Sequence, residues 1–186
     1  FDKTSLNPGY IKEYIPGVRE NGGQYTHGAI WSVIANTMLR NGDRAGEYFR
    51  ILNPIEHART KENVLRYKVE PYVIAADVYA SAGMTGRGGW TWYTGSSSWF
   101  YIAGMEYVLG ISKHGNILKI NPCIPHSWKY LKIEYTFERS KYIVEVKNPN
   151  LKSNGFSEIR YDDDIVQSNE ILLVDDGTIH KIEIIL

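Results

Sequence analysis

The residues best suited to chemistry lie in one stretch, residues 86–99, where glycines, aromatic side chains and hydroxyls follow one another. Thr94 and the serines after Gly95 are typical of a helix start, because their oxygens accept hydrogen bonds from the unpaired N–H groups of the first turn. The same N–H groups, together with the positive end of the helix dipole, favour an anion such as phosphate. The alternative is an ordinary capped helix packed against buried aromatic side chains.

Three aromatic side chains precede this turn, namely Trp90, Trp92 and Tyr93. Their flat apolar faces suit the C–H faces of a sugar ring, although aromatic residues equally fill protein cores. A site for an anion beside an aromatic platform therefore indicates chemistry on a sugar and a phosphate.

Two further groups can contribute to such a site. His27 follows a glycine-containing loop and opens a predicted helix, where an imidazole can donate a hydrogen bond to an anion. Arg19 and Glu20 are adjacent in that loop and can bind sugar hydroxyls as a donor and an acceptor. The alternatives are a histidine satisfied by capping or by the core, and a solvated charge pair.

The remaining titratable residues give weaker signals. Asp77 is the one charge in the apolar stretch 72–82, so its burial would require hydrogen-bond partners or a shifted pKa. No residue is a convincing acid for an inverting glycosidic reaction. The run 162–164 of three aspartates predicts a solvated turn rather than a calcium site. We expect no metal site, and we expect four histidines at the surface. These four are His57, His114, His126 and His180.

Composition limits the function classes. The 186 residues carry 21 basic and 21 acidic side chains, so nothing indicates electrostatic capture of nucleic acid or of an anionic membrane. The single Cys123 excludes an internal disulfide framework and a cysteine zinc site. There is no run of 18 apolar residues and no signal peptide, which favours a cytoplasmic location. Because the chain begins without Met in a predicted loop, we expect a piece of a longer protein.

The first part of the chain is predicted to be helical. Apolar residues from 25 to 38 at a spacing of 3.6 indicate a helix that begins at about Gln24 and ends near Asn41 and Gly42. A second helix is expected over 45–52, with Asp43 as its cap. A short helical stretch is expected at 55–59. Residues 72–82 are apolar on nearly every face and predict a buried helix, and the last helix runs from 99 to 109. Long buried helices joined by long loops are typical of part of a helical bundle or toroid.

After Gly110 the apolar period becomes two, which predicts strands. The fold class is therefore α+β, a helical portion over residues 1–112 followed by an antiparallel β-sandwich over 113–186. The predicted strands are 117–121, 131–137, 142–146, 159–161, 170–174 and 180–186, with a turn at 176–177.

Five blocks of the sequence form a recognisable series. They are NPGYIK at 7–12, PGVRENGGQYTH at 16–27, VEPYV at 69–73, GGWTWYTG at 88–95 and NPCIP at 121–125. Taken in order, the five blocks resemble the phosphorylases of glycoside hydrolase family 94. The fourth block and the preceding Arg87 are most similar to the C-terminal part of cyclic β-1,2-glucan synthetases and to β-1,2-oligoglucan phosphorylases.

The resemblance implies the final helices of an (α/α)6 toroid followed by a β-sandwich. In this family, inorganic phosphate attacks the anomeric carbon of a β-glucoside with inversion, while an aspartic acid protonates the leaving oxygen. That aspartate belongs to a segment upstream of Phe1, so the isolated chain is predicted to be inactive. By the matching blocks, phosphate would be bound by His27, Thr94 and Gly95, and the acceptor-side sugar would lie near Arg19 and Glu20. The aromatic faces described above add three expected sugar-binding residues, namely Trp90, Trp92 and Tyr93.

The implied partners are a β-glucan oligosaccharide and phosphate as co-substrate, with no other cofactor. The remainder of the toroid, on a parent protein that can be associated with the inner membrane, or a second copy would cover the exposed helices. Two other functions stay open: a non-catalytic module that binds carbohydrate or phosphate, and a structural domain that closes the barrel.

Overall fold

The computed structural model describes residues 1, 3–92 and 95–186, and it shows an α+β protein. The chain divides into two compact units. The first comprises Phe1–Ser32 and Tyr48–Tyr101, and the second comprises Val33–Glu47 and Ile102–Leu186. The expected division into residues 1–112 and 113–186 stays a prediction.

Helices dominate the first part of the described chain. None of the described helices is both long and apolar enough to cross a membrane. The α-helices are α1 (Thr26–Met38), α2 (Gly42–Leu52), α3 (Lys61–Tyr67) and α4 (Ser96–Ile102), with 3₁₀ turns at Gly9–Glu13 and Glu56–Ala58 and a π-helix at Ala103–Val108.

The two long predicted helices are confirmed. Helix α1 buries Ile30, Val33 and Ile34 at helical spacing, and these apolar positions predicted it. The cap of α2 differs from the prediction, because the side chain of Asn41 accepts the hydrogen bond from the Arg44 N–H at 3.1 Å. Asp43 instead lies within the first turn of α2.

The predicted helix over residues 72–82 is wrong. This segment contains only the short strand β2 (Asp77–Val78), which pairs antiparallel with β1 (Gln24–Tyr25). Val73, Ala75 and Asp77 are buried, whereas the residues between them are only partly so. That alternation is typical of extended chain, but the sequence hides it because both sets are mostly apolar.

Two other helical segments differ from the expectation. Helix α3 was not predicted, although Thr60 caps it by accepting the Asn63 N–H at 3.1 Å. The last helix was expected over residues 99–109; it begins earlier, at Ser96, and becomes a π-helix from Ala103.

The second unit contains two sheets with alternating buried side chains. The five-stranded sheet has the order β5-β6-β10-β7-β8, and the three-stranded sheet has the order β3-β4-β9. Their strands are β3 (Ile111–His114), β4 (Ile117–Ile120), β5 (Tyr130–Phe137), β6 (Ser140–Lys147), β7 (Glu158–Tyr161), β8 (Asp164–Val166), β9 (Glu170–Leu172) and β10 (Ile179–Ile185).

The expectation of a purely antiparallel sandwich is wrong at one pair of strands, because β10 lies parallel to β6. The preceding strand β9 belongs to the other sheet. The chain therefore changes sheets before β10, and β10 can run in the direction of β6 without a helical crossover.

His180 is not a surface residue, contrary to the prediction. It is 8% exposed and stacks on Tyr142 with 4.8 Å between ring centroids. Its Nδ1 lies 2.7 Å from Asp162 Oδ2, and its Nε2 lies 3.3 Å from Asp176 Oδ1. The partners come from two separate turns, which the spacing along the sequence did not reveal.

Candidate functional site

A two-stranded ribbon of β1 and β2 positions the residues predicted to act. Tyr25 pairs with Asp77 across this ribbon, and the next N–H, that of Thr26, donates to the Ala76 carbonyl at 2.9 Å. His27 is the second residue of α1 and follows immediately. The ribbon therefore determines where the imidazole leaves the backbone.

The imidazole of His27 lies among aromatic rings. Its ring centroid is 4.9 Å from that of Trp31, one helical turn further along α1, and 5.6 Å from that of Trp99 in α4. The Tyr25 ring lies at 6.4 Å. Its Nε2 atom is buried and has no hydrogen-bond partner among the described residues.

Helix α4 contacts this imidazole through the ring of Trp99. The Trp99 N–H donates to the Gly95 carbonyl at 3.4 Å, so the ring that contacts His27 is one turn from Gly95. A Cβ atom added at Gly95 would meet no other atom within 4 Å. Two predicted residues, Tyr93 and Thr94, lie outside the described residues.

Arg19 and Glu20 lie in a tight loop. Arg19 has a φ of 48°, and the Gly23 N–H donates to its carbonyl at 2.9 Å. The guanidinium lies over the rings of Tyr14 and Tyr25, at 5.2 and 5.8 Å from their centroids. Burial alone would lower the pKa of Arg19, but Tyr14, Glu20 and Tyr25 together raise it, so the side chain is a permanent cation.

The two side chains form a weak ion pair with unsatisfied atoms. Arg19 Nε lies 3.8 Å from Glu20 Oε2, which is too long for a hydrogen bond. Both atoms are buried, and neither has a hydrogen-bond partner among the described residues. The pair can therefore still offer one donor and one acceptor to a ligand.

Asp77 connects this loop to the aromatic stretch. The side chain is 2% exposed, and its Oδ2 accepts the Arg19 backbone N–H at 3.0 Å. The Trp90 backbone also hydrogen-bonds to the carboxylate. Burial raises the pKa of Asp77, although these two hydrogen bonds lower it in part. Asp77 thus has both features expected of a buried carboxylate, namely hydrogen-bond partners and a shifted pKa.

The two described tryptophans of the aromatic stretch are solvent-exposed, Trp90 at 58% and Trp92 at 68%. Trp92 has a φ of 66°, which is rare for a bulky residue. Its indole N–H lies 3.4 Å from Glu70 Oε1, and its ring meets the Tyr72 ring edge to face at 6.0 Å. Both side chains are therefore exposed over more than half of their surface.

The structure thus joins most of the predicted residues into two groups. His27 meets the helix that begins after Gly95, and Asp77 links Arg19 to Trp90, whereas Trp92 contacts Glu70 and Tyr72 instead. Sequence reasoning missed the rings around His27 and Arg19. Helical spacing could have identified Trp31, but nothing in the sequence indicated that the rings of Tyr14, Tyr25 and Trp99 lie there.

The chemistry of the site follows from its unsatisfied atoms. Among the described residues, a buried side-chain atom without a hydrogen-bond partner occurs in Arg19, Glu20, His27 and Ser81. Each such atom costs about 1–3 kcal/mol unless a partner is supplied. No group of three or more His, Cys, Asp and Glu among the described residues could hold a metal ion. The arrangement suits a ligand that is polar and partly anionic.

Comparison with known proteins gives a consistent result. Residues 1–110 match the glycosyl hydrolase 94 superfamily, catalytic domain. The chain is 53% identical over 145 residues to the cyclic beta-(1,2)-glucan synthase NdvB of Rhizobium meliloti (strain 1021), covering 78% of this chain and 5% of that protein. It is 29% identical over 161 residues to the N,N'-diacetylchitobiose phosphorylase of Vibrio proteolyticus, covering 86% and 20% of the two chains.

A third relative is the solabiose phosphorylase of Paenibacillus borealis, which is 25% identical over 191 residues and covers 99% of this chain and 24% of that protein. The chain therefore spans between 5% and 24% of the length of these relatives. The family model covers more than half of the 186 residues. The chain belongs to the glycosyl hydrolase 94 superfamily.

Proposed function

We propose that this chain is part of an inverting β-glucan phosphorylase or cyclic β-1,2-glucan synthase, in which it supplies phosphate-binding and sugar-binding residues. One observation carries the proposal. Of the four described residues with unsatisfied buried atoms, three are those that the family motifs assign to substrates, namely Arg19, Glu20 and His27. Each unsatisfied buried atom calls for an explanation, and the one we propose is a ligand that supplies the missing partner.

Phosphate would bind between His27 and the start of α4. The imidazole Nε2 donates to one phosphate oxygen, while the N–H groups around Thr94 and Gly95 donate to others. A second phosphate oxygen then attacks the anomeric carbon of a β-glucoside. The C–O bond to the leaving sugar breaks with inversion, and α-glucose 1-phosphate results.

The sugar would be held by the loop and the aromatic stretch. Arg19 Nε can donate to a sugar hydroxyl and Glu20 Oε2 can accept from one, which pairs both atoms. Trp90, Trp92 and Tyr93 would stack on sugar rings. The exposure of the two described indoles supports this role, because a sugar ring can stack on a side chain that solvent reaches.

In this proposal the general acid, which protonates the leaving oxygen, comes from outside these residues. We place it in another segment of the parent protein, which supplies the rest of an (α/α)6 toroid around the helices of residues 1–112, with residues 113–186 as the sandwich. The isolated chain then binds ligands without turning them over, since loss of a general acid removes about 10²–10⁴-fold of rate.

The test is calorimetric titration of the chain with inorganic phosphate, comparing wild type with Gly95→Ala. Apart from its chain neighbours, the added methyl group meets no atom of the described residues within 4 Å, so the thermal unfolding midpoint should stay unchanged. It would nevertheless occupy space that phosphate needs, and we expect roughly tenfold weaker binding, equal to about 1.4 kcal/mol.

Equal phosphate affinity in the two proteins would contradict the phosphate site. A second assay follows release of glucose 1-phosphate from β-1,2-linked glucose oligomers. Turnover by the isolated chain would contradict the role assigned to an external acid. Binding without turnover, even in the full-length parent protein, would instead favour a non-catalytic binding module.

A further inference from the structure

The Asp77 carboxylate joins two segments that are distant in sequence. Its Oδ2 accepts the backbone N–H of Arg19, which lies 58 residues earlier, at 3.0 Å. The carboxylate also hydrogen-bonds to the Trp90 backbone, 13 residues later by number. A side chain that is 2% exposed therefore connects the loop of the ion pair to the start of the aromatic stretch.

Backbone bonds next to Asp77 reinforce this connection. The Gly89 N–H donates to the Asp77 carbonyl at 2.8 Å, and the Ala76 N–H donates to the Trp90 carbonyl at 2.6 Å. On the other side, the Ala80 N–H donates to the Gly17 carbonyl at 2.7 Å. The segment around Asp77 thus lies between the two others and bonds to both.

Gly89 shows how closely the carboxylate is enclosed. A Cβ atom at this position would lie 2.0 Å from Asp77 Oδ1 and 2.9 Å from the Tyr79 ring. Only a residue without a side chain allows the carboxylate to occupy its place. The absence of a side chain at Gly89 and the hydrogen bonds of Asp77 therefore both determine the position of the carboxylate.

We propose that Asp77 is a positioning residue of the sugar site, which holds Arg19 and Glu20 at a set place relative to Trp90. This inference rests on the proposed function, because it takes Arg19, Glu20 and Trp90 as sugar ligands. The carboxylate touches neither sugar nor phosphate itself. It acts through the hydrogen bonds that it accepts from the backbones of Arg19 and Trp90.

The chemistry of the carboxylate explains why an amide cannot replace it. A carboxylate offers two acceptor oxygens and can accept from both backbone segments at once. Asparagine has one acceptor oxygen and one NH₂ group, so one of the two N–H groups would face another donor. Asp77→Asn should therefore release one segment while keeping the shape of the side chain.

The experiment titrates the full chain with a β-1,2-linked glucose trimer and, separately, with inorganic phosphate. For Asp77→Asn we expect roughly tenfold weaker binding of the trimer, with phosphate affinity within about twofold of wild type. Gly89→Ala, which keeps the carboxylate but displaces it, should give the same pattern. It serves as the second variant if Asp77→Asn fails to fold.

The control is Val73→Ala, which removes buried apolar volume in the same unit but leaves Asp77 and its partners intact. It should lower the unfolding midpoint without changing trimer affinity. An equal loss of trimer and phosphate affinity in Asp77→Asn and in Val73→Ala would reduce Asp77 to a structural role and overturn the inference.

The remaining outcomes separate this inference from the function on which it rests. Unchanged trimer affinity in Asp77→Asn overturns the inference but leaves the proposed function intact. If the wild-type chain binds no trimer, the assigned sugar site is wrong, and the positioning role fails with it.

Discussion

Replacement of His27 by phenylalanine should maintain or raise the stability of the free chain and weaken its binding of phosphate. The phenyl ring can keep the edge contact with Trp31 and the tilted contact with Trp99, whose centroids lie 4.9 and 5.6 Å from the imidazole. It removes both ring nitrogens, and of these Nε2 is buried without a hydrogen-bond partner among the described residues. We therefore expect a free chain that is no less stable and a phosphate site that is impaired.

The magnitudes follow from the two states of the Nε2 atom. In the free chain an unsatisfied buried nitrogen costs about 1–3 kcal/mol, so its removal stabilises the fold. Steric crowding by the larger phenyl ring offsets part of this stabilisation. The free energy of unfolding should therefore stay equal or rise by about 1–2 kcal/mol. With phosphate present, the lost charge-assisted hydrogen bond is worth about 1.5–3 kcal/mol, which weakens binding roughly 10- to 100-fold.

The assay combines urea unfolding of the free chain with calorimetric titration of phosphate. His57→Phe is the matched control, because His57 also stacks on an aromatic ring in the same unit, that of Tyr67 at 4.4 Å. Its ring nitrogens are not among the unsatisfied buried atoms. This control should leave phosphate affinity unchanged.

One result would refute the reasoning. If His27→Phe lowered the free energy of unfolding by more than about 2 kcal/mol and left phosphate affinity at the wild-type value, Nε2 would be a structural atom with a protein partner. The phosphate site would then have to be sought elsewhere.

Two further predictions concern the second unit. Burial is the largest single effect on His180 and opposes its protonation, but the carboxylates of Asp162 and Asp176 together raise the pKa of this imidazole above its ordinary value. The ion pairs of His180 with these two carboxylates therefore stabilise the fold fully below about pH 6.5. This stabilisation is lost as the pH rises through the pKa of His180 in the folded state. Urea unfolding should show that His180→Gln lowers the free energy of unfolding more at pH 6 than at pH 9. An equal decrease at both pH values would contradict the ion pairs. Separately, Gly42→Ala should destabilise the chain by more than about 2 kcal/mol in thermal unfolding, because its Cβ would lie 2.2 Å from the Ile124 carbonyl oxygen. A midpoint equal to that of wild type would show that this contact relaxes freely.

Local chemistry explains which parts of the fold could be predicted. Helix α1 and strand β5 carry apolar residues at clear periods of 3.6 and 2, so their type follows from the sequence alone. Residues 72–82 carry no such period, since apolar residues occupy both faces. Their backbone is extended because the pairing of β2 with β1 determines it, and that pairing joins residues about fifty positions apart.

The candidate site, like the fold, has features that follow from the sequence and others that depend on tertiary contacts. The sequence by itself determined the family, the identities of the candidate ligands and the order of the motifs, because residue types and short spacings are local properties. Only the tertiary structure decided that His27 contacts the ring of Trp99, that Asp77 is buried against the Arg19 N–H, and that His180 lies between two carboxylates. The physical reason is that these contacts join residues which chain folding brings together, and burial then makes each hydrogen bond and each missing partner significant.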